Sequence, residues 1–179
     1  MTASKTSWGD SWRSASAASS PQATARRSRA ASARHYAELL SLRRRILSRS
    51  PDSALFRSDL IAALSAHAEG QVAEGLAVGG LDALNEAIEV ADALVDEVAE
   101  AYHQRSAATV RRRAAEVERI VARDAAGASR RSRLRRGVSL LEEAVQAMDA
   151  IAEPSERDAA VLAEIRDELR RFQAELRGS

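Results

Sequence analysis

Residues 80–94 read GLDALNEAIEVADAL, and residues 137–151 read GVSLLEEAVQAMDAI. The two stretches align without gaps at an offset of 57, sharing the leading glycine, Leu84 with Leu141, Glu86-Ala87 with Glu143-Ala144, and Asp92-Ala93 with Asp149-Ala150. In the first copy Leu81, Leu84, Ile88, Ala91 and Leu94, continued by Val95, Val98 and Tyr102, recur at steps of three and four. That period stacks side chains on one face of a helix. Apolar replacements such as Val145 for Ile88 keep the same face in the second copy. The offset leaves room for one further helix between the copies, so the repeating unit is a helix pair.

Outward from this stretch the same period recurs. Tyr36, Leu39, Leu40, Ile46 and Leu47 predict a helix from about Ala33 that ends at Ser50-Pro51-Asp52-Ser53, because proline disfavours helix in the residue before it and Asp or Ser caps the next. Phe56, Leu60, Leu64, Ala68 and Val72 give a second helix, broken by Gly75, Gly79 and Gly80. Past His103 the stripe resumes as Val110, Ala114, Val117 and Val121, which puts a short break near Gln104 to Ser106, with one long helix as the alternative. Arg130 to Gly137 reads as a loop or helix end, where cations suit the helix dipole. Val138, Leu141, Val145, Met148 and Ile151 follow, ended by Pro154. Ser155 and Asp158 have capping-box spacing ahead of Val161, Ile165, Leu169, Phe172 and Leu176. No strand-like alternation is present. The fold class is all-α: about six amphipathic helices in antiparallel pairs, forming a solenoid or a short helical bundle.

Composition agrees with one such domain. The 179 residues are 45% hydrophobic, 30% charged and only 3% aromatic, so the core is built from Ala, Leu, Val and Ile, which excludes most β-sandwich readings. There are 39 Ala, and 26 Arg against the single Lys5, a usage that reflects a GC-rich genome as much as a role. The absence of cysteine removes disulfides, thiol catalysis, zinc fingers and iron–sulfur sites together. Residues 1–33 hold no Leu, Ile or Val and carry a charge of +4, which predicts a flexible Ser/Ala/Arg-rich tail ahead of a helical domain at 34–179. An organelle transit peptide is the alternative for that tail, and Trp8 and Trp12 are its only large apolar residues. No stretch approaches the roughly 20 apolar residues that span a bilayer, and the N-terminus lacks the apolar core of a secretory signal, so a cytoplasmic protein without a membrane partner is expected.

The segment from Tyr36 to Leu94 resembles a tetratricopeptide repeat protein. The resemblance rests on Tyr36-Ala37-Glu38-Leu39-Leu40, Pro51-Asp52, Asp59-Leu60, Ala63-Leu64, a glycine-containing turn, and Ala83-Leu84 with Glu86-Ala87-Ile88, and it looks like the longer form of the repeat common in high-GC bacteria. It extends more weakly over residues 34–152. The period of 57 departs from the roughly 34 residues of the standard unit, and the second copy has no Pro-Asp before it. The resemblance implies a right-handed solenoid whose A helices, at 54–77 and 106–130, line a concave face that binds a partner protein or peptide. By position, Arg57, His67, Gln71, Arg113 and Arg119 are the candidate polar contacts there. The family's carboxylate clamp needs Lys and Asn in those helices, and both are missing. With two to three units, apolar ends are left to cover, so a homo-oligomer is a further expectation.

No catalytic or cofactor pattern competes with this reading. His35, His67 and His103 are too scattered for a metal-ligand pair, and there is no Gly-x-Ser-x-Gly elbow, phosphate-binding loop or dinucleotide fingerprint. No enzyme, metal or cofactor is expected. The alternative class is an Arg-rich nucleic-acid-associated protein, carried by Arg43 to Arg45, Arg111 to Arg113 and Arg130 to Arg136. Against it, three consecutive helical residues span about 200° of arc, and no aromatic residue interleaves with the arginines to stack bases.

Overall fold

A computed structural model describes residues 21–178, with 21–34 as backbone. Six helices follow in order: α1 (Pro21–Arg49), α2 (Ala54–Ala73), α3 (Ala77–Glu97), α4 (Ala101–Asp124), α5 (Gly127–Asp149) and α6 (Glu156–Arg177). No strand occurs among the described residues.

Four local features differ from the sequence reading, each for a physical reason. α1 starts at Pro21 rather than near Ala33, inside the segment expected as tail. Proline suits the first helical position, and the Gln, Ala and Arg that follow are strong helix formers even without an apolar stripe. The rest of that expected tail, with Trp8 and Trp12, lies outside the described residues. Second, only Gly75 breaks the chain between α2 and α3: its φ of +81° is left-handed, the region glycine enters without a Cβ penalty. Gly79 and Gly80 lie inside α3, and Gly80 marks a close helix crossing, where a Cβ would sit 3.1 Å from the Ala68 carbonyl oxygen. Third, the break before α4 falls at Val98-Ala99-Glu100, not at Gln104 to Ser106. The Glu100 carbonyl accepts from the amides of His103 and Gln104 and so starts α4 earlier. Fourth, Arg130 to Gly137 is helical. Leu134 and Gly137 extend the buried face of Leu141, Ala144 and Met148 toward the N-terminus, and the arginines around them hide the stripe. These arginines therefore lie in the first half of α5, away from its C-terminal dipole.

Two starts form as the sequence predicts. Ser53 Oγ accepts from the Phe56 amide at 3.3 Å at the head of α2, and Ser155 with Asp158 makes a full capping box at the head of α6.

Each helix packs mainly on its neighbours in the chain. α2, α4 and α6 form one layer, sharing a groove, and on the other side Arg44 of α1 reaches Glu86 of α3. Between the helices run Leu60, Leu64, Leu84, Leu94, Leu134, Leu140, Leu141, Ile165 and Phe172, all fully buried. Each contributes about 1.5–3 kcal/mol through removal from water. Buried alanines at 87, 91, 107, 108, 114, 115 and 144 let the backbones approach closely. Equivalent repeat positions are buried alike: Leu84 and Leu141, Ala87 and Ala144, Ala91 and Met148. Gly80 is the fourth residue of α3 and Gly137 the eleventh of α5, a shift of seven, about two helical turns, which leaves the buried face unchanged.

Arginine clamps tie neighbouring helices together. Arg111 donates to Glu143 of α5 at 3.1 Å and to Asp92 of α3, and Arg44 Nε reaches Glu86 across α1 and α3 at 2.7 Å. Arg112 reaches Glu164 at 2.8 Å and Glu168 at 2.9 Å on α6. The hydrogen bond to Glu168, reinforced by Glu164 and opposed by burial, raises the guanidinium pKa further, so this clamp stays charged.

Candidate interaction surface

One open groove, ≈ 500 Å³, runs across the α2–α4–α6 layer. α2 lines it with Ser58, Ile61, Ala62, Ser65, Ala66 and Glu69, and α4 with Tyr102, Arg105, Ser106, Thr109, Val110 and Arg113. Both sets recur at alternating steps of three and one, so that residues three and four apart share a single helix face. α6 adds Arg157 and Val161. Small side chains along α2 keep the groove open, and Ile61 and Val110 form an apolar floor.

Charge is arranged at the two ends. Arg113 bridges from α4 to Glu69 of α2 at 2.8 Å, and Arg105 Nε lies 3.3 Å from Asp158 Oδ1 at the head of α6. Asp158 also accepts from Ser155 Oγ at 2.6 Å and from the Ser155 amide at 2.8 Å. The Ser155 hydroxyl, then its amide, and more weakly Arg105 and Arg157 hold this carboxyl below its ordinary pKa against the opposing effect of burial. Tyr102 stands at the rim, 59% exposed, edge-on to the His103 ring at 5.5 Å.

Of the five polar contacts expected from sequence, only Arg113 lies in this groove. Arg57 is turned inward and 8% exposed: it donates to the Pro51 carbonyl at 2.8 Å, the Ala93 carbonyl at 3.3 Å and Glu97 at 2.9 Å, locking the α1–α2 turn to the end of α3. The hydrogen bond to Glu97, opposed by burial, raises its pKa. His67 packs against Tyr36, ring centroids 6.1 Å apart, and faces α1 on the far side of α2. Gln71 is turned to Gly79 of α3. Arg119 lies over the Phe172 ring at 5.3 Å, with its Nε buried and without a hydrogen-bond partner. Position along one helix was the only guide to these five, and each face was decided by the neighbour it met.

Tyr102, Arg105, Glu69 and Arg157 were not anticipated. In the sequence Tyr102 continues the apolar period of α3, although it lies in α4, whereas the spaced Ser, Ala and Thr of α2 and α4 are the signal that points to an open face. A separate exposed cluster, Arg123, Arg130, Arg131, Arg135 and Arg136, crowns the α4–α5 turn. Neighbouring Arg133 is taken up by Glu118 at 3.1 Å.

Among the described residues no group of three or more His, Asp or Glu is placed to hold a metal ion, and no helix is long and apolar enough to cross a membrane. The chain matches no protein-family model, no curated protein and no solved structure.

Proposed function

We propose that this chain is a small, non-enzymatic, cytoplasmic interaction module that holds a segment of a partner protein in the α2–α4–α6 groove. The observation that carries this reading is the groove itself, an apolar floor with a charged pair at each end and an exposed aromatic at the rim. Tyrosine beside desolvated apolar surface is the composition of binding hot spots. Stacked helix pairs with every second helix on one face also support the tetratricopeptide-like reading, in which the A helices carry the ligand.

A photo-crosslinking residue at Ala62, inside the groove, tests it against the same residue at Ala163 on the outer side of α6. The proposal expects nuclease-resistant protein adducts from position 62 that are lost with Tyr102→Ala and with Arg113→Glu. Equal adducts from both positions, or adducts that vanish with nuclease, overturn it.

The exposed arginines of the α4–α5 turn favour a second reading, a phosphate-backbone contact. Neutralising Arg130, Arg131, Arg135 and Arg136 would then flatten the salt dependence of nucleic-acid binding, since each lost phosphate contact removes about one unit of slope. No binding of the full chain at low salt ends that reading.

A further inference from the structure

α1 carries a second apolar strip beside the one it packs into the core. Leu40 is buried and Leu47 partly buried against the core. In the neighbouring strip Leu39, Leu42 and Ile46 remain 37%, 48% and 36% exposed. With Phe56 of α2 they line a hollow of ≈ 200 Å³ whose polar margin is the Arg43–Asp59 pair at 3.2 Å. Leu55, 67% exposed, starts α2 beside Phe56. A contiguous exposed apolar strip of this kind marks a surface for a further contact.

The opposite end of the stack is closed differently. The outer side of α6 presents Asp167, Arg170 and Arg171 around Ala163 and Ala174. Stacking copies head to tail would press the apolar edge of α1 onto these charges and strip their water without repayment. The apolar edge therefore matches its own kind, which is the condition for a two-fold, isologous contact.

The charges beside the seam give the direction. Leu39, Leu42 and Ile46 are spaced as consecutive seam positions, and Glu38 and Arg45, both exposed, flank them one heptad apart on the same side. When two such helices run antiparallel, equivalent flanking positions face each other, so Glu38 of each copy meets Arg45 of the other. A parallel contact would instead run the Arg26–Arg34 stretches alongside each other, with four arginines apiece and no acid. We infer that the chain forms a two-fold dimer in which α1 lies antiparallel to α1 of a second copy, with Leu39, Leu42 and Ile46 at the seam and reciprocal Glu38–Arg45 ion pairs.

The test is the mass of the full chain by sedimentation and light scattering across a concentration series. The inference expects twice the 19.3 kDa chain mass at tens of micromolar. Leu42→Asp, at an exposed position, should give a monomer with unchanged helical content. Glu38→Arg should weaken the dimer about tenfold, as two exposed ion pairs become repulsive, and adding Arg45→Glu should restore it. Because the chain has no cysteine, Leu42→Cys should oxidise to a covalent dimer while Ala163→Cys on α6 should not. A wild-type monomer throughout, a dimer indifferent to Leu42→Asp, or a charge swap that fails to restore association overturns the inference. So does a monomer that dimerises only when residues 1–20 are removed, which would assign the hollow to the chain's own N-terminal segment.

Discussion

A Cβ added at Gly137 would lie 2.5 Å from Phe172 Cε1 and 2.9 Å from Cδ1. Phe172 cannot yield easily, because it is fully buried and Arg119 lies over its ring. Gly137→Ala is therefore expected to destabilise the protein by roughly 1–2 kcal/mol, overpacking outweighing the better helix propensity of alanine. At Gly70, also helical, a Cβ meets nothing within 4 Å. There the same substitution should stabilise by about 0.5–1 kcal/mol. Denaturant unfolding of the two variants checks both signs, and equal shifts would refute the packing account. The sequence reads Gly70 as inside a helix and Gly137 as the close of a loop or helix end, and it does not show that Phe172 lies against the second. Arg57 and Arg113 pose the same difficulty: both are arginines on α2 or α4, yet one closes an internal turn and the other rims the groove, because the acids and carbonyls they meet lie on other elements.

At the scale of the element, α5 and α6 begin in contrasting ways. α6 has a capping box with acids in its first turn, whereas α5 has no side-chain cap, no acid in its first turn and arginines soon after. Positive charge near a helix N-terminus opposes the dipole, and this is why the stretch read as a helix end. Ala128→Glu is expected to stabilise the protein by about 0.5 kcal/mol through the dipole, measured as a rise in Tm; a fall would show that the first turn of α5 is held by something else. For α6, the folded-state pKa of Asp158 lies below its unfolded value. Its contribution is therefore fully present above the ordinary aspartate range and is lost as pH falls through the depressed folded value. The Tm gap between wild type and Asp158→Ala should be widest at neutral pH and close on acidification. A gap that does not depend on pH would mean that the carboxylate charge is not what caps α6.

Across the whole molecule, stability is shared between neighbours, as in a one-dimensional stack. α4 and α5 have the most extensive contact of any pair, and α1 and α2 the least among consecutive helices. Arg111 adds to the centre by joining α3, α4 and α5. Hydrogen exchange should therefore be slowest in α4 and α5 and fastest in α1, with α6 between them. Uniform protection in all six helices would instead indicate a single cooperative bundle.

The sequence by itself determined the helical class, the faces of α3 and α6, the turn at Ser50 to Ser53, the capping box at Ser155 and the equivalence of residues 80–94 with 137–151. These follow from local sterics, capping and the helical period, which act within a few residues. The tertiary structure alone decided where α1 and α4 begin, that Arg130 to Gly137 is helix, and which polar side chains reach the open face. Those outcomes depend on what a neighbouring helix places opposite: an apolar surface for Leu134, the Ala68 carbonyl for Gly80, Glu97 for Arg57, Glu69 for Arg113. An amphipathic stripe states that a face is buried, but only the packed partner settles which charges at its margin are consumed and which remain to meet another molecule.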